Sequence, residues 1–198
     1  MTVQTTENLL LVTGSIRGED SASTRLATRL AERLAPGGYA HRDAASGLEM
    51  VDGEWLGAMA TAPEARDARQ AARAELAETL MDEVKAADTL VIAVPIYNFS
   101  PAAQIKTWFD QLARAGVAFK YSEAGPEGLL TGRKAWIVMT SNGTEEGSAI
   151  DFATPWVKHM LGFFGIEVAG VIAADRQAFD ESSVDKALEQ VEALPLAA

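Results

Sequence analysis

The sequence predicts an α/β protein, a doubly wound five-stranded parallel sheet with helices on both faces. Three observations lead there. Four of five candidate strands are short apolar runs that lack the polar alternation of a half-exposed strand, as strands covered on both faces do. Segments with apolar residues at helical spacing separate those runs, so strands and helices alternate along the chain. No internal repeat or linker breaks the alternation, and 198 residues suit one compact core, so 1–198 is expected to form a single domain.

The first run, "NLLLV" at 8–12, stops at Thr13-Gly14-Ser15 as a buried strand entering a loop does. Over 23–35 the period changes: Leu26, Ala27, Leu30, Ala31 and Leu34 form a helical stripe ended by Pro36-Gly37-Gly38. "GYAHRD" supplies the second strand. Residues 44–63, rich in Gly, Ala and acidic side chains with Trp55 and Met59 as apolar anchors, read as an irregular excursion. A long alanine-rich helix is expected over 64–85, and the third strand over 89–94.

Ser100-Pro101 suits a helix N-cap followed by a first helical position, where proline's missing N–H costs nothing. The helix continues through Ile105, Trp108, Phe109 and Leu112. Alternation and glycines over 115–134 predict a hairpin leading to a fourth strand at 135–140. A helix over 154–164 opened by Thr154-Pro155, a fifth strand "IEVAGVIAA" and a closing helix over 181–194 complete the order.

Charge and composition remove several function classes. Acidic side chains outnumber basic ones 28 to 17, and the net charge of -11 opposes binding to nucleic acid phosphates or anionic lipid, so no nucleic acid and no membrane partner is expected. An anionic ligand must therefore be held by local N–H groups against the global field. The chain has no cysteine, hence no disulfide, thiolate metal site or thiol nucleophile, which is compatible with the cytoplasm. Only His41 and His159 remain for acid–base work at neutral pH, and no apolar run approaches the roughly 20 residues of a membrane helix. No metal site is expected.

A doubly wound sheet binds ligands beyond the carboxyl ends of its strands. Unusual polar and glycine residues do cluster after strands one, three and four: "TGSIRGEDSAST", "PIYNFSP" and "TSNGTEEGS". In the first loop Ser15, Ser21, Ser23 and Thr24 precede a helix, where hydroxyls and N–H groups suit a phosphate, with Arg17 nearby; Ser21 or Ser23 serves equally as a plain N-cap. Neither G-x-G-x-x-G nor G-x-x-x-x-G-K-[ST] occurs, which leaves a terminal monophosphate. In the second loop Tyr97 and Phe99 offer flat surface to a planar heterocycle, or simply cap the core; Asn98 between them needs polar partners that a cap does not supply. In the third, Gly143 lets the backbone come close to a ligand, or only turns. Together the three describe a mononucleotide with a flat ring, and FMN fits best.

At this point residues 95–135, "PIYNFSPAAQIKTWFDQLARAGVAFKYSEAGPEGLLTGRKA", resemble the FMN-dependent NADH:quinone oxidoreductases, or azoreductases, a flavodoxin-like family, through linked P-x-Y-N-F, Q-L-K-x-x-F-D, A-G-x-x-F-x-Y and G-P-x-G-L patterns. The likeness extends over almost the whole chain. It implies a flavodoxin-like fold and FMN contacts at Ser15, at Ser21-Ala22-Ser23, at Ile96-Tyr97-Asn98-Phe99 and at Ser141-Asn142-Gly143-Thr144. The last segment departs from the family's frequent S-R-G-G: Asn142 lacks a cation and Thr144 replaces a glycine. The resemblance also implies two-electron, ping-pong hydride transfer through bound FMN, from NADH or NADPH to a quinone or azo compound, in a homodimer. No catalytic side chain is required, and Tyr121, Phe163 and Phe164 are implied at the acceptor pocket, the two Phe residues reading also as ordinary core. A flavodoxin-type electron carrier without a substrate reaction, and a cofactor-free interaction protein, are the competing readings.

Overall fold

The computed structural model describes residues 3–196. Strands β1 (Leu9–Thr13), β2 (Ala40–Asp43), β3 (Thr89–Tyr97), β7 (Lys134–Thr140) and β8 (Glu167–Ala174) form the central sheet in the order β2-β1-β3-β7-β8. All four pairings along it are parallel. This is the flavodoxin-like order, in which the winding direction reverses between the first and third strands.

Period-two alternation of buried residues within each strand divides the core into two layers. Leu10, Val12, Ile92, Val94, Ile137 and Met139 face helices α3 (Ala68–Ala86), α4 (Ala103–Leu112) and α5 (Ala153–Phe164), where Leu80, Ile105, Phe109 and Leu161 meet them. Leu9, Leu11, Val91, Ala93 and Val138 face α1 (Ala22–Leu34) and α6 (Ser183–Glu192) through Leu26, Leu30, Ala187 and Val191. Strands β1, β3 and β7 are covered on both faces, so neither face is polar and they read as continuous apolar runs, whereas the edge strand β2 carries exposed polar residues. No helix among the described residues is long and apolar enough to cross a membrane.

Four local expectations change. Ser100 and Pro101 do not open a helix; they form the short strand β4 (Ser100–Pro101), antiparallel to β3 in the register Ile96↔Pro101 and Tyr97↔Ser100. The physical reason lies at Asn98 and Phe99, whose φ angles of 51° and 68° fold β3 back on itself. Positive φ at both central residues is the hairpin-turn geometry that matches strand twist. The 44–63 excursion contains α2 (Gly53–Ala60), capped by Asp52, whose carboxylate accepts from the Trp55 N–H at 2.8 Å. Trp55 in turn donates through Nε1 to Gln111 at 2.7 Å, which pins this segment to α4.

The long helix begins at Ala68 rather than 64, since Asp67 and Gln70 form a reciprocal capping box there. Helix α5 begins at Ala153, with Asp151 Oδ1 accepting from the N–H groups of Ala153 and Thr154, so Thr154-Pro155 lies inside its first turn.

The hairpin of β5 (Phe119–Ser122) and β6 (Gly125–Gly128) stands as a separate two-stranded sheet. Its G-P-x-G-L sequence has a packing reason: a Cβ on Gly128 would lie 2.1 Å from the Gly165 nitrogen and 2.2 Å from the Phe164 carbonyl carbon. The hairpin thus sits directly on the end of α5. Gly14 plays a similar part at the exit of β1, where a Cβ would lie 2.7 Å from Ile105 Cδ1, so α4 packs close under the first loop.

Candidate active site

A cleft of about 780 Å³ opens beyond the carboxyl ends of β1, β3 and β7. Ile96, Tyr97, Asn98 and Phe99 line one side and Ser141, Asn142, Gly143 and Thr144 the other, with Ile16, Ile150 and Phe179 completing the lining. A second hollow of about 630 Å³ shares Ile16, Tyr97 and Asn98 and runs to Phe152, Trp156 and Lys106.

The loop after β1 is drawn inward. Ser15 is buried, and its hydroxyl lies 2.9 Å from the Tyr97 hydroxyl and accepts from the Arg17 N–H at 3.2 Å. Tyr97 is therefore more than flat surface: its polar tip clasps the first loop to the third strand. Ser21 and Ser23 are buried, and their hydroxyls bond to each other at 2.9 Å. Ser21 occupies the N-cap of α1 without any side-chain cap bond, so capping does not account for its hydroxyl. The N–H groups of Ala22, Ser23 and Thr24, at the positive end of α1, donate to no acceptor among the described residues, and the Thr24 hydroxyl is buried without a partner.

On the β3–β4 hairpin, Asn98 is exposed and Phe99 is 51% exposed. Asparagine tolerates the left-handed region; phenylalanine there costs on the order of 1–2 kcal/mol. The ring is thus held outward, beside the cleft, at a cost in backbone energy. The third loop is braced from behind: the Ser141 hydroxyl donates to the Thr144 carbonyl, while Gln177 and Ala178 donate N–H groups to the Ser141 and Asn142 carbonyls at 3.1 and 3.0 Å. The N–H groups of Asn142, Gly143 and Thr144 have no acceptor among the described residues. Asn142 and Gly143 are exposed, whereas Thr144 is 5% exposed.

Tyr121, Phe163 and Phe164 do not line the cleft of their own chain. Tyr121 stands exposed on the β5–β6 hairpin, edge-on to Phe119, and Phe163 packs on Phe119 at 4.3 Å between ring centroids. Phe164 is 1% exposed and tilted against Phe109, so it belongs to the core. Helical geometry separates the pair, because adjacent positions point about 100° apart. The cleft residues that sequence reasoning missed, Ile16, Ile150 and Phe179, share one signal: each is a large apolar side chain alone in a polar loop, and each is exposed.

Residues 7–194 match the model of a family described as having a flavodoxin-like fold. An FMN-dependent NADH:quinone oxidoreductase of Cereibacter sphaeroides is 45% identical over 192 residues, which cover 93% of this chain and 95% of the relative. One from Thiobacillus denitrificans is 50% identical over 171 residues, 85% of this chain and 84% of the relative. The chain belongs to the FMN-dependent NADH:quinone oxidoreductase family. The crystal structure of an FMN-dependent NADH-azoreductase from Bacillus anthracis in complex with FMN has the same fold, with a TM-score of 0.80 and 22% identity over 97% of this chain and 96% of that one.

Within this family's frame, the two departures in the third loop have separate consequences. Asn142 leaves the exposed corner of the cleft without the cation of S-R-G-G. Thr144 brings a β-branched side chain, but its burial lets the loop keep the free N–H groups of residues 142–144.

Proposed function

We propose that this protein is an FMN-dependent NADH:quinone oxidoreductase that also reduces azo compounds. The observation that carries the reading is the convergence of Ile16, 96–99 and 141–144 on one cleft beyond the carboxyl ends of β1, β3 and β7, with unpaired N–H donors at 142–144 in its lining and at 22–24 at the start of α1. FMN fits those donors. The Ser21 and Ser23 hydroxyls and the Ala22–Thr24 N–H groups suit its phosphate, and the orphaned Thr24 hydroxyl marks polar capacity that the protein alone does not use.

Bound there, FMN would supply two-electron hydride chemistry between a reduced nicotinamide and an acceptor. The chain's own residues bind, orient and stabilise. Ser15, held by Tyr97, closes the first loop; Asn98 and Phe99 present the hairpin edge; the N–H groups of Asn142, Gly143 and Thr144 supply partial positive charge where negative charge develops on a flat ring, in the manner of an oxyanion hole. Local donors do this within a chain of net charge -11. No histidine lines the cleft, so we assign no catalytic side chain and leave acceptor protonation to solvent.

Donor and acceptor use one position in turn, a ping-pong order, with NADH or NADPH as donor. We propose a homodimer in which Tyr121 and Phe163 of one subunit complete the acceptor pocket of the other, since both lie off their own cleft and Tyr121 is exposed. Residues from 15 to 179 contribute to the site, which supports treating 1–198 as one functional domain. Chemistry that draws on NADH and needs no disulfide suits the cytoplasm.

Anaerobic titration of the purified protein tests the reading. Bound FMN should give a flavin visible spectrum, NADH should bleach it, and a quinone should restore it. Protein that takes up no FMN ends the cofactor claim, and yellow protein that neither NADH nor NADPH bleaches indicates an electron carrier instead. A single 21.1 kDa species by chromatography with light scattering removes the homodimer.

A further inference from the structure

Phe179 is 74% exposed, yet it stands on a loop anchored by hydrogen bonds at both ends. Between β8 and α6 the backbone continues the sheet pairing beyond its strands: Ser141 donates to the Ala174 carbonyl, and Gln177 and Ala178 donate to Ser141 and Asn142. The N–H groups of Phe179 and Asp180 both reach the Arg176 carbonyl, at 2.7 and 3.0 Å, around a left-handed Arg176 with φ 52°. Asp180 ties the far end to Lys186 and Ser182, and the Ser183 hydroxyl donates to the Asp175 carbonyl at 2.6 Å. A large apolar ring fixed in water forgoes about 1.5–3 kcal/mol of burial, which a flexible loop would recover by folding it down.

The ring is placed against the third cleft loop. A Cβ on Gly143 would lie 3.9 Å from Phe179 Cε2, and Phe179 shares the cleft lining with Phe99. Two exposed aromatic rings thus flank one cleft from the β3–β4 hairpin and the β8–α6 loop. The Arg176 guanidinium lies 5.8 Å from the Phe179 ring centroid, and Arg176 is half exposed, paired with an exposed Glu145 at 3.6 Å. So loose a pair leaves the cation available at the same rim.

We infer that Phe179 is a specificity-determining residue for the electron acceptor, selecting planar aromatic compounds, and that Arg176 favours those bearing a carboxylate or sulfonate. This rests on the proposed FMN-dependent reductase activity. A resident cofactor is gripped by buried groups such as Ser21, Ser23 and Thr144, whereas an exchanging acceptor arrives from solvent and meets the rim first.

The test compares wild type, Phe179→Ala, Phe179→Tyr and Arg176→Gln. Calorimetry on the oxidised holoenzyme, without NADH, reads binding of azobenzene-4-carboxylate and of azobenzene; steady-state rates read the KM for azobenzene-4-carboxylate against 1,4-benzoquinone. Phe179→Ala should weaken the azobenzene compounds about three- to tenfold, the worth of one aromatic contact, with FMN retention unchanged and Phe179→Tyr close to wild type. Arg176→Gln should weaken only the carboxylate. Equal affinities in wild type and Phe179→Ala overturn the assignment, as does a parallel loss of FMN from Phe179→Ala, which makes the ring a cofactor wall. Wild-type protein that takes up no FMN overturns the underlying activity, and the acceptor role with it.

Discussion

The hydroxyl oxygens of Ser15 and Tyr97 lie 2.9 Å apart and join the loop after β1 to the exit of β3 across 82 positions of chain. Removing the Tyr97 hydroxyl leaves Ser15 with the Arg17 N–H alone and unties the loop from the strand. Tyr97→Phe should cost about 0.5–1.5 kcal/mol in denaturant unfolding and speed FMN release, because Ser15 loses its orientation. An FMN off-rate unchanged from wild type would show that the clasp has no role in the site.

The Ser21–Ser23 pair separates binding from folding. Replacing both hydroxyls together removes donor and acceptor at once, which is nearly neutral for stability. The double variant Ser21→Ala, Ser23→Ala should therefore keep the apoprotein's Tm within about 2 °C of wild type while FMN affinity falls at least about tenfold. Calorimetric FMN titration and thermal unfolding measure the two effects independently. Unaltered affinity reduces these serines to structural residues.

Phe99 occupies a position that asparagine or glycine takes at less cost. Phe99→Asn should leave the apoprotein as stable or stabilise it by about 1 kcal/mol, while weakening FMN retention or acceptor binding. A clear loss of stability with normal binding reverses the proposed order, placing the ring in the service of the fold.

Gly128 is expected to be intolerant for a packing reason alone. In Gly128→Ala the new methyl group meets backbone of Phe164 and Gly165, which has no flexible end to move, so destabilisation of about 3 kcal/mol or more is expected. Chemical denaturation gives the number. A loss below about 1 kcal/mol would mean that the hairpin shifts freely on α5.

Acid should loosen two places in turn. Burial pushes the Glu78 carboxyl up, but Arg114 and Arg66 outweigh it and hold the group below its ordinary 4.5; Lys186 and Ser182 hold Asp180 down to about 2 from 3.8. A depressed carboxyl contributes stability above its unfolded value and loses it as pH falls through the folded one. Tm should thus be nearly flat above about pH 5 and decline below about pH 4, with a shallower decline in Glu78→Gln. An equally steep decline in that variant removes Glu78 from the explanation. The Asp180 anchor also carries the loop of Phe179, so acceptor affinity should weaken only further down, as pH approaches about 2, where that carboxyl is protonated in the folded protein.

The alternation of strands and helices was legible in the sequence because burial on both faces leaves strands such as Leu9–Thr13 and Thr89–Tyr97 without polar positions. The three site loops were legible for a related reason: serines, Asn98 and Gly143 have no use in that core. Local chemistry misled at Ser100-Pro101, a pair equally at home at a helix start and on a short edge strand, where the left-handed turn at Asn98 and Phe99 decided between them. It misled again at 154–155, since the cap of α5 comes from Asp151, which a Thr-Pro reading passes over.

The family resemblance, the alternation of strands and helices and two segments of the cleft, 96–99 and 141–144, were therefore legible in residue type and spacing, which act over a few positions at a time. Only the tertiary structure brought the Ser15 hydroxyl to Tyr97, sent Phe164 inward while leaving Phe163 against Phe119, and carried Phe179 from the last loop to the side of Gly143. Those relationships join side chains that are distant in sequence, and their geometry is set by how helices and loops pack around the finished sheet.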